Sequence, residues 1–231
     1  MGVVSASQDS AMNNMTLTKT DDDVIYESLP SDSAEGYLQA SDNELLSATH
    51  DISGSTVQDI KNYFDSGAVH EGDTVYLGNK DFTSNWQQWD GNQVNVNVAN
   101  VIITGGSSSN PNGFSTINAN YAKVFSFNAA GITLSNVKIL NSNSGSGPGS
   151  AVYVQSSDCK INNCLFDNCE NQNGGAVRIN SQGTNTQFTN CNFTNNGNKW
   201  TGDGGAVYVE ANDCKFNNCL FEKNNYARSN N

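Results

Sequence analysis

The sequence predicts an all-β fold, a parallel β-helix of about six coils, and three observations lead to this prediction. A short motif recurs at steps of about 27 residues in the second half of the chain. Segments between its copies carry apolar residues at alternate positions, as half-buried strands do. Asn and Gly, which tolerate the tight corners of such coils, number 37 and 21 among the 231 residues.

Residues 1–54 are predicted to form a largely disordered, acidic tail. Residues 1–56 contain ten Asp or Glu and one base, Lys19, so they contribute -9 of the net charge of -12. Too few apolar side chains are present there to offset the entropy of an ordered chain. A protein this acidic is also poorly suited to bind nucleic acid through a basic surface.

The first residues favour an exported protein. They lack the apolar stretch of a signal peptide, but Val4-Ser5-Ala6 fits the small-residue site left where a signal is trimmed. This pattern predicts an extracellular or cell-surface location, with an ordinary cytosolic N-terminus as the alternative. No apolar run approaches the length of a membrane-spanning helix, so no transmembrane segment is expected in this chain.

A short helix is expected within residues 55–67, where it can cap the first coil. Ser55 and Gln58 fit a capping box, in which both side chains satisfy exposed backbone N–H groups. Gly67 can end the helix. One face at helical spacing carries Val57, Ile60, Tyr63 and Phe64.

The repeat is clearest at Asp158–Phe166, which recurs as Asp213–Phe221, with further copies at 186–193 and 132–139. Their alignment gives an Asn column at a predicted corner, because Asn tolerates left-handed backbone angles and stacked amides can bond each other. A weaker match adds Asn100 to this column. Its main members are Asn136, Asn163, Asn190 and Asn218.

Three apolar columns of the same alignment are expected to point inward. Each residue should stack on its counterpart in the next coil, so the columns form the core of the solenoid. They are Val137, Cys164, Cys191 and Cys219; Ile139, Phe166, Phe193 and Phe221; and Leu134, Ile161, Phe188 and Phe216.

A second motif, which contains Ala-Val-Tyr-Val or Gly-Gly-Ala-Val, predicts another strand in each coil. Its middle residue should face solvent, which places Ser126, Tyr153, Arg178 and Tyr208 in one outward row. An Arg between two Tyr can stack on both rings. A flat face with these side chains suits recognition of a sugar or a protein, and a solvated ladder without a partner is the alternative.

The units Asn-Cys-x-Phe-x-Asn-Asn and Gly-Gly-Ala-Val-Tyr resemble repeats of chlamydial polymorphic outer-membrane proteins. They resemble even more the repeats of adhesin-like surface proteins of methanogenic archaea, and Val57–Phe64 and Gly72–Leu77 resemble how those domains begin. The resemblance covers about residues 55–228. It implies a right-handed β-helix of the pectin-lyase type over residues 55–231, a cell-surface role in adhesion, and a C-terminal truncation, since the relatives continue for more coils.

The six cysteines allow three interpretations. Zinc sites favour Cys pairs two to four residues apart across a tight turn, whereas strand and corner residues separate the cysteines here. A disulfide between Cys164 and Cys191 of neighbouring coils would need a shorter Cβ separation than parallel stacking gives. Buried free thiols that act as small hydrophobes are therefore favoured. Cys169 aligns with Asn196 and Asn224, so it is expected to be the most exposed.

No catalytic residue, metal site or cofactor is predicted. A lyase of this fold type would need clustered acids for Ca²⁺ beside a basic residue, and a hydrolase would need paired carboxylates. Asp158 and Asp213 share a column two coils apart, about 9.6 Å by coil rise, but no base or His is directly adjacent to either of them. Repetition of the whole motif explains their recurrence.

The sequence thus favours a non-enzymatic, adhesin-like domain that presents a rigid face to another cell, protein or glycan. The candidate binding residues are Tyr153, Arg178 and Tyr208. A carbohydrate-active enzyme and a purely structural envelope spacer are the alternatives. Trp86 and Trp89 form a second aromatic group, for which a cap on the first coil is favoured over an exposed patch.

The C-terminal end of the solenoid is expected to be open. Residues 222–228 are polar and offer no apolar face to cover the last coil. Unpaired strand edges are templates for another chain, and solenoids need terminal caps to stay soluble. We therefore expect end-to-end self-association, or fraying that begins with the coil carrying Cys214, Cys219 and Phe221.

Overall fold

The chain divides into two compact units, residues 1–44 and 45–231. In the first unit, strands β1 (Val3–Gln8) and β2 (Met15–Thr20) pair antiparallel, where the sequence predicted no strand. The rest of the predicted disordered stretch up to residue 46 lies outside the described residues, so its disorder stays a prediction. The computed structural model describes residues 3–8, 15–20, 47–86, 92–143, 149–171, 173–198 and 204–224.

Within these ranges the second unit contains one helix and twenty short strands. In chain order they are β3 (Thr49–Asp51), α1 (Val57–Asp65), β4 (Thr74–Tyr76), β5 (Asp81–Thr83), β6 (Val94–Val96), β7 (Ile102–Thr104), β8 (Ser115–Asn118), β9 (Phe125–Phe127), β10 (Thr133–Ser135), β11 (Val137–Leu140), β12 (Val152–Val154), β13 (Lys160–Asn162), β14 (Leu165–Asp167), β15 (Glu170–Asn171), β16 (Val177–Ile179), β17 (Gln187–Thr189), β18 (Asn192–Thr194), β19 (Gly197–Asn198), β20 (Val207–Val209), β21 (Lys215–Asn217) and β22 (Leu220–Glu222).

These strands form three long parallel sheets. Sheet I has the order β3-β4-β7-β10-β13-β17-β21, sheet II the order β5-β8-β11-β14-β18-β22, and sheet III the order β6-β9-β12-β16-β20. The chain visits the sheets in turn, and β15 and β19 add a short fourth pair. The predicted fold class is confirmed: an all-β, right-handed parallel β-helix of about six coils with one short helix.

The core lies inside the coils, where side chains of successive coils stack in register. Phe166 pairs with Phe193, and Phe193 with Phe221, with ring centroids 5.0 and 4.7 Å apart. Leu134, Ile161, Phe188 and Phe216 form a second such column. The repeat therefore fixes which residues meet across coils, because each step of 27 or 28 residues returns the chain to the same point on the coil.

Corners between strands are made by residues with left-handed backbone angles, which Asn tolerates better than most side chains. Asn136, Asn163, Asn190 and Asn218 occupy one corner with φ between 50 and 57°. Asn100 does not belong to this column, contrary to the expectation. Because Ile103 pairs with Leu134, Asn100 lies opposite Gly131, at the preceding corner. Asn precedes an apolar residue at both corners, so an Asn-Val pair alone cannot distinguish them.

Helix α1 covers the start of the solenoid, and its inner face buries Val57 and Ile60 completely. The capping box lies one residue later than predicted. Thr56 is the N-cap and accepts from the backbone N–H of Asp59, whose carboxylate accepts from the N–H of Thr56. Gly67 follows the helix with φ of 77°, as a terminating glycine does.

The solenoid also begins earlier than residue 55. Strand β3 pairs with β4 and so extends sheet I into the stretch predicted to be disordered. Trp86 is buried and donates from Nε1 to the side chain of Gln58 on α1, 2.8 Å away, in keeping with a role in the cap. Trp89 lies outside the described residues.

Candidate functional site: the outer face of sheet III

The outward row of sheet III is built by β12, β16 and β20 around one arginine. Tyr153 pairs with Arg178, and Arg178 with Tyr208, so the three side chains stand side by side on neighbouring strands. The guanidinium carbon lies 5.8 Å from the Tyr153 ring centroid and 5.5 Å from that of Tyr208. The arginine is thus stacked on both rings, and all three side chains are half-buried.

A carboxylate holds this arginine in place. Glu210 accepts from Nε of Arg178 at 3.2 Å and from Nη2 at 2.9 and 3.1 Å, a bidentate pairing that fixes the plane of the guanidinium. Sequence reasoning missed Glu210. Its position two residues after Tyr208, just beyond the end of β20, could have indicated it, because residues i and i+2 of an extended segment point to the same side.

Amide side chains continue the same face toward the first coils. Asn128 donates to Asn97 at 2.8 Å, and Gln155 donates to Asn128 at 2.7 Å, so three successive coils are joined by side-chain hydrogen bonds. Gln155 also donates to Ser126 at 2.8 Å and covers it, so this member of the predicted outward row is buried.

We call this surface the ladder face. On this face the Tyr and Arg side chains lie directly beside a row of amide side chains. Its single acid, Glu210, and its single base, Arg178, form an ion pair and neutralise each other. It consists of Asn95, Ser126, Tyr153, Arg178 and Tyr208 in one row and Asn97, Asn128, Gln155, Asn180 and Glu210 in the next.

Asparagines at the corners form amide ladders of two kinds. On the outside, Asn163 donates to Asn136 and Asn218 donates to Asn190, each at 2.7 Å. On the inside, Asn196 is buried and its Oδ1 accepts from the backbone N–H of Cys169 at 2.9 Å. These contacts hold adjacent coils together.

The expectation that Cys169 is the most exposed cysteine is wrong, because it is fully buried. Its column points inward, and the asparagines of that column, Asn196 and Asn224, bond to backbone groups of the preceding coil. The polarity of these asparagines suggested an exposed loop, whereas their amide side chains form hydrogen bonds with backbone groups inside the coils. All six cysteines carry free thiols in the structure, and Cys214 and Cys219 of the last coil are the more exposed ones.

The acids weighed as a catalytic pair occupy a corner. Asp158 and Asp213 both have left-handed backbone angles, with φ of 62 and 60°, and Asn185 lies between them in the same column. Asp158 accepts from Ser157 at 2.6 Å and from Asn185 at 2.7 Å. Hydrogen bonds from these two residues lower the pKa of Asp158. Their recurrence is therefore explained by the corner geometry that Asp and Asn share.

A buried polar cluster at the first coil escaped sequence reasoning. Asp73 is 1% exposed and lies 2.9 Å from Nε2 of His50, whose Nδ1 lies 2.7 Å from the Tyr63 hydroxyl. Because a carboxylate only accepts, Nε2–H of His50 donates to Asp73, and Nδ1 shares the second hydrogen bond with the Tyr63 hydroxyl. The cluster joins β3, α1 and the residue before β4. It was missed because His50 was assigned to the disordered tail.

Within the described part of the chain, no group of three His, Cys, Asp or Glu is placed to hold a metal ion. No helix there is long and apolar enough to cross a membrane. Fold and face together define the class of the protein, a parallel β-solenoid with one flat face of stacked Tyr, Arg and amide side chains. Comparisons with protein-family models, curated proteins and solved structures find no match.

Proposed function

We propose that this protein is a non-enzymatic, adhesin-like domain of the cell surface that contacts its target through the ladder face. The observation that carries the proposal is the stacked Tyr153, Arg178 and Tyr208, locked by Glu210 on a flat parallel sheet. Rigid aromatic surface of this kind contributes much of the affinity of binding faces, since little side-chain entropy is lost on binding. The resemblance to archaeal adhesin-like repeats supports the same role.

The charge of the face favours an uncharged glycan as the ligand. Arg178 directs Nε and Nη2 to Glu210, so its fork is engaged by a carboxylate of the same chain. It is therefore not positioned to clamp a carboxylate or sulfate of an acidic polysaccharide. Tyrosine rings offer flat surface to sugar rings, and the adjoining amides offer both donors and acceptors to hydroxyl groups.

The test is binding of the purified chain to immobilised dextran, mannan and polygalacturonate, together with binding to whole cells. We expect binding to a neutral polysaccharide that Tyr153→Ala or Tyr208→Ala abolishes. The matched control is Phe114→Ala, because Phe114 is an exposed aromatic outside the ladder face and also has a cation, Lys138, 5.6 Å from its ring. This variant should bind as the wild type does.

Other outcomes favour the other functions. Cell binding that is lost when surface proteins are digested, without affinity for any polysaccharide, would favour a protein partner. Absence of binding to cells and polysaccharides alike would favour the envelope spacer. Unsaturated product released from polygalacturonate, and lost on substitution of Asp158 or Asp213, would replace the binding domain by a lyase.

A further inference from the structure

One copy of the repeat differs from the copies on either side of it at two outward positions. The flanking copies contain Cys164-Leu-Phe-Asp167 and Cys219-Leu-Phe-Glu222, whereas the copy between them contains Cys191-Asn-Phe-Thr194. The inward residues, Cys and Phe, are the same in all three. Both changed positions lie on the outer side of β18, so the core column does not require the change.

Together the two changes create Asn192-Phe193-Thr194, which matches the acceptor sequence of N-linked glycans, Asn-x-Ser/Thr. Residues 45–231 contain 34 asparagines, of which only Asn192 is followed by Ser or Thr two positions later. The acceptor sequence is therefore not a general property of the repeat. A second match, Asn14-Met15-Thr16, falls in the first unit, and Asn14 lies outside the described residues.

The side chain of Asn192 is exposed on β18 and forms no hydrogen bond with any residue that the structure describes. The other asparagines within residues 185–196 have side chains that bond neighbouring coils, and they are Asn185, Asn190, Asn195 and Asn196. The acceptor sequence thus coincides with the asparagine of this segment whose amide is not used to hold the coils together.

A group attached to Asn192 is compatible with the folded coil. The backbone N–H of Asn192 donates to the carbonyl of Cys164 at 2.9 Å, and a change at Nδ2 leaves this bond intact. Leu165 and Leu220 pair with Asn192 on either side, so all three side chains share the outer face of sheet II. The first sugars of a glycan can cover these leucines, whose apolar surface is otherwise in contact with water.

We propose that Asn192 is an attachment site for an N-linked oligosaccharide, transferred from a lipid diphosphate. The transfer forms a bond between Nδ2 of Asn192 and the anomeric carbon of the first sugar. The bond from that carbon to the diphosphate oxygen breaks, the lipid diphosphate leaves with the electron pair, and Nδ2 gives up one proton to the transferase. The proposal depends on the proposed function only in that the chain must be exported.

The glycan would leave the ladder face free, because Asn192 belongs to sheet II and the ladder face to sheet III. The same coil would then carry a sugar chain on one sheet and the binding side chains on another. Loss of either feature can be measured without the other.

The test is secretion of the full chain from a eukaryotic host, behind the host's own export signal. An endoglycosidase then leaves one N-acetylglucosamine on each modified asparagine, and trypsin releases residues 179–199, in which Asn192 begins the one acceptor sequence. Mass spectrometry should find this sugar on the wild type and on Thr194→Ser. It should be lost in Thr194→Val, which keeps the shape of the side chain but removes the hydroxyl.

The matched control is Thr189→Val, because Thr189 lies on β17 of the same coil but follows no acceptor asparagine, so this variant should keep the sugar. Thr194 also donates to Asp167 at 2.6 Å, so its loss can loosen the coil. Asn192→Gln leaves that bond in place and should lose the sugar as well.

A secreted wild type whose peptide 179–199 carries no sugar would refute the proposal. Sugar that persists on this peptide in Asn192→Gln would also refute it, because the attachment would then be elsewhere. Neither result would affect the test of the ladder face, which depends on Tyr153 and Tyr208.

Discussion

At the scale of single residues, the meaning of an asparagine depends on which way its side chain points. Asn190 sits at a corner, exposed, and bonds the amide of the next coil. Asn196 is buried, and it accepts from Cys169 while its Nδ2 donates to the carbonyl of Phe166 at 3.0 Å. Asparagine suits the outer positions because it tolerates their left-handed backbone angles. It suits the inner position because its amide forms hydrogen bonds with buried backbone N–H and C=O groups.

Asn196→Ala should lower the free energy of unfolding by about 3 kcal/mol, because it leaves a buried N–H and a buried carbonyl without this partner. Thermal and urea melts measure the change. The control is Asn192→Ala, on the same coil but exposed, which should change stability little. Equal effects of the two substitutions would contradict the role assigned to the inner amide.

The thiols should react in an order set by burial. Burial raises the pKa of the Cys169 thiol to about 12 and that of Cys159 to about 11, so both stay protonated and shielded at neutral pH. Iodoacetamide at pH 8 should label Cys214 and Cys219 first and Cys169 only on unfolding, as read by mass spectrometry of peptides. Early labelling of Cys169 would contradict its burial and support the exposed position that was predicted from the sequence.

At the scale of elements, the cluster of Asp73, His50 and Tyr63 fastens α1 and β3 to the first coil. Burial acts to raise the pKa of Asp73, but hydrogen bonds from His50 and from the backbone N–H groups of His70 and Ala48 outweigh it, and the pKa is lowered. A carboxyl group whose pKa is lower in the folded state stabilises the fold above its ordinary pKa. That stabilisation is lost as the pH falls through the lowered value.

Asp73→Asn should therefore cost about 1.5–3 kcal/mol at pH 7, the range for hydrogen bonds to a charged group. The difference from wild type should shrink below about pH 4, because the wild-type carboxylate is then being protonated. Urea melts between pH 7 and pH 2 measure it. Asp65→Asn, which removes an exposed acid at the end of α1, provides the control, and a difference that does not change with pH would contradict the assignment.

The pairing of strands within the repeat could be predicted from sequence, because the repeat period determines which residues of successive coils face each other. Phe166, Phe193 and Phe221 pair as their alignment predicted. The outward row of Tyr153, Arg178 and Tyr208 could be predicted for the same reason. Side-chain contacts that the repeat period does not determine could not be predicted in this way. The repeat places Glu210 on the same face as Arg178 but does not show that the two side chains form an ion pair, and the cluster at His50 joins α1 to residues outside the repeat.

At the scale of the whole solenoid, each coil is stabilised by packing on its neighbours, so stability should fall where the core columns are more exposed, as at Phe216 and Phe221. Asp158–Phe166 and Asp213–Phe221 differ at a single position, which makes their intrinsic exchange chemistry nearly the same. Amide hydrogens of 212–222 should exchange faster than those of 159–166 at low protein concentration, as measured by mass spectrometry. Equal protection of both segments would show that the last coil is as stable as an inner one.

The direction of the coil-to-coil hydrogen bonds also decides how the solenoid responds to force. All ladders of the three sheets connect one coil to the next, so a pull on the chain at β22 would break these bonds one after another and peel the coils away in sequence. A target held on the ladder face, as proposed above, would pull instead across several strands at once, since that face spans β6 to β20. Tension from such a target would then be shared by many hydrogen bonds in parallel, and the weak peeling direction would carry little of it.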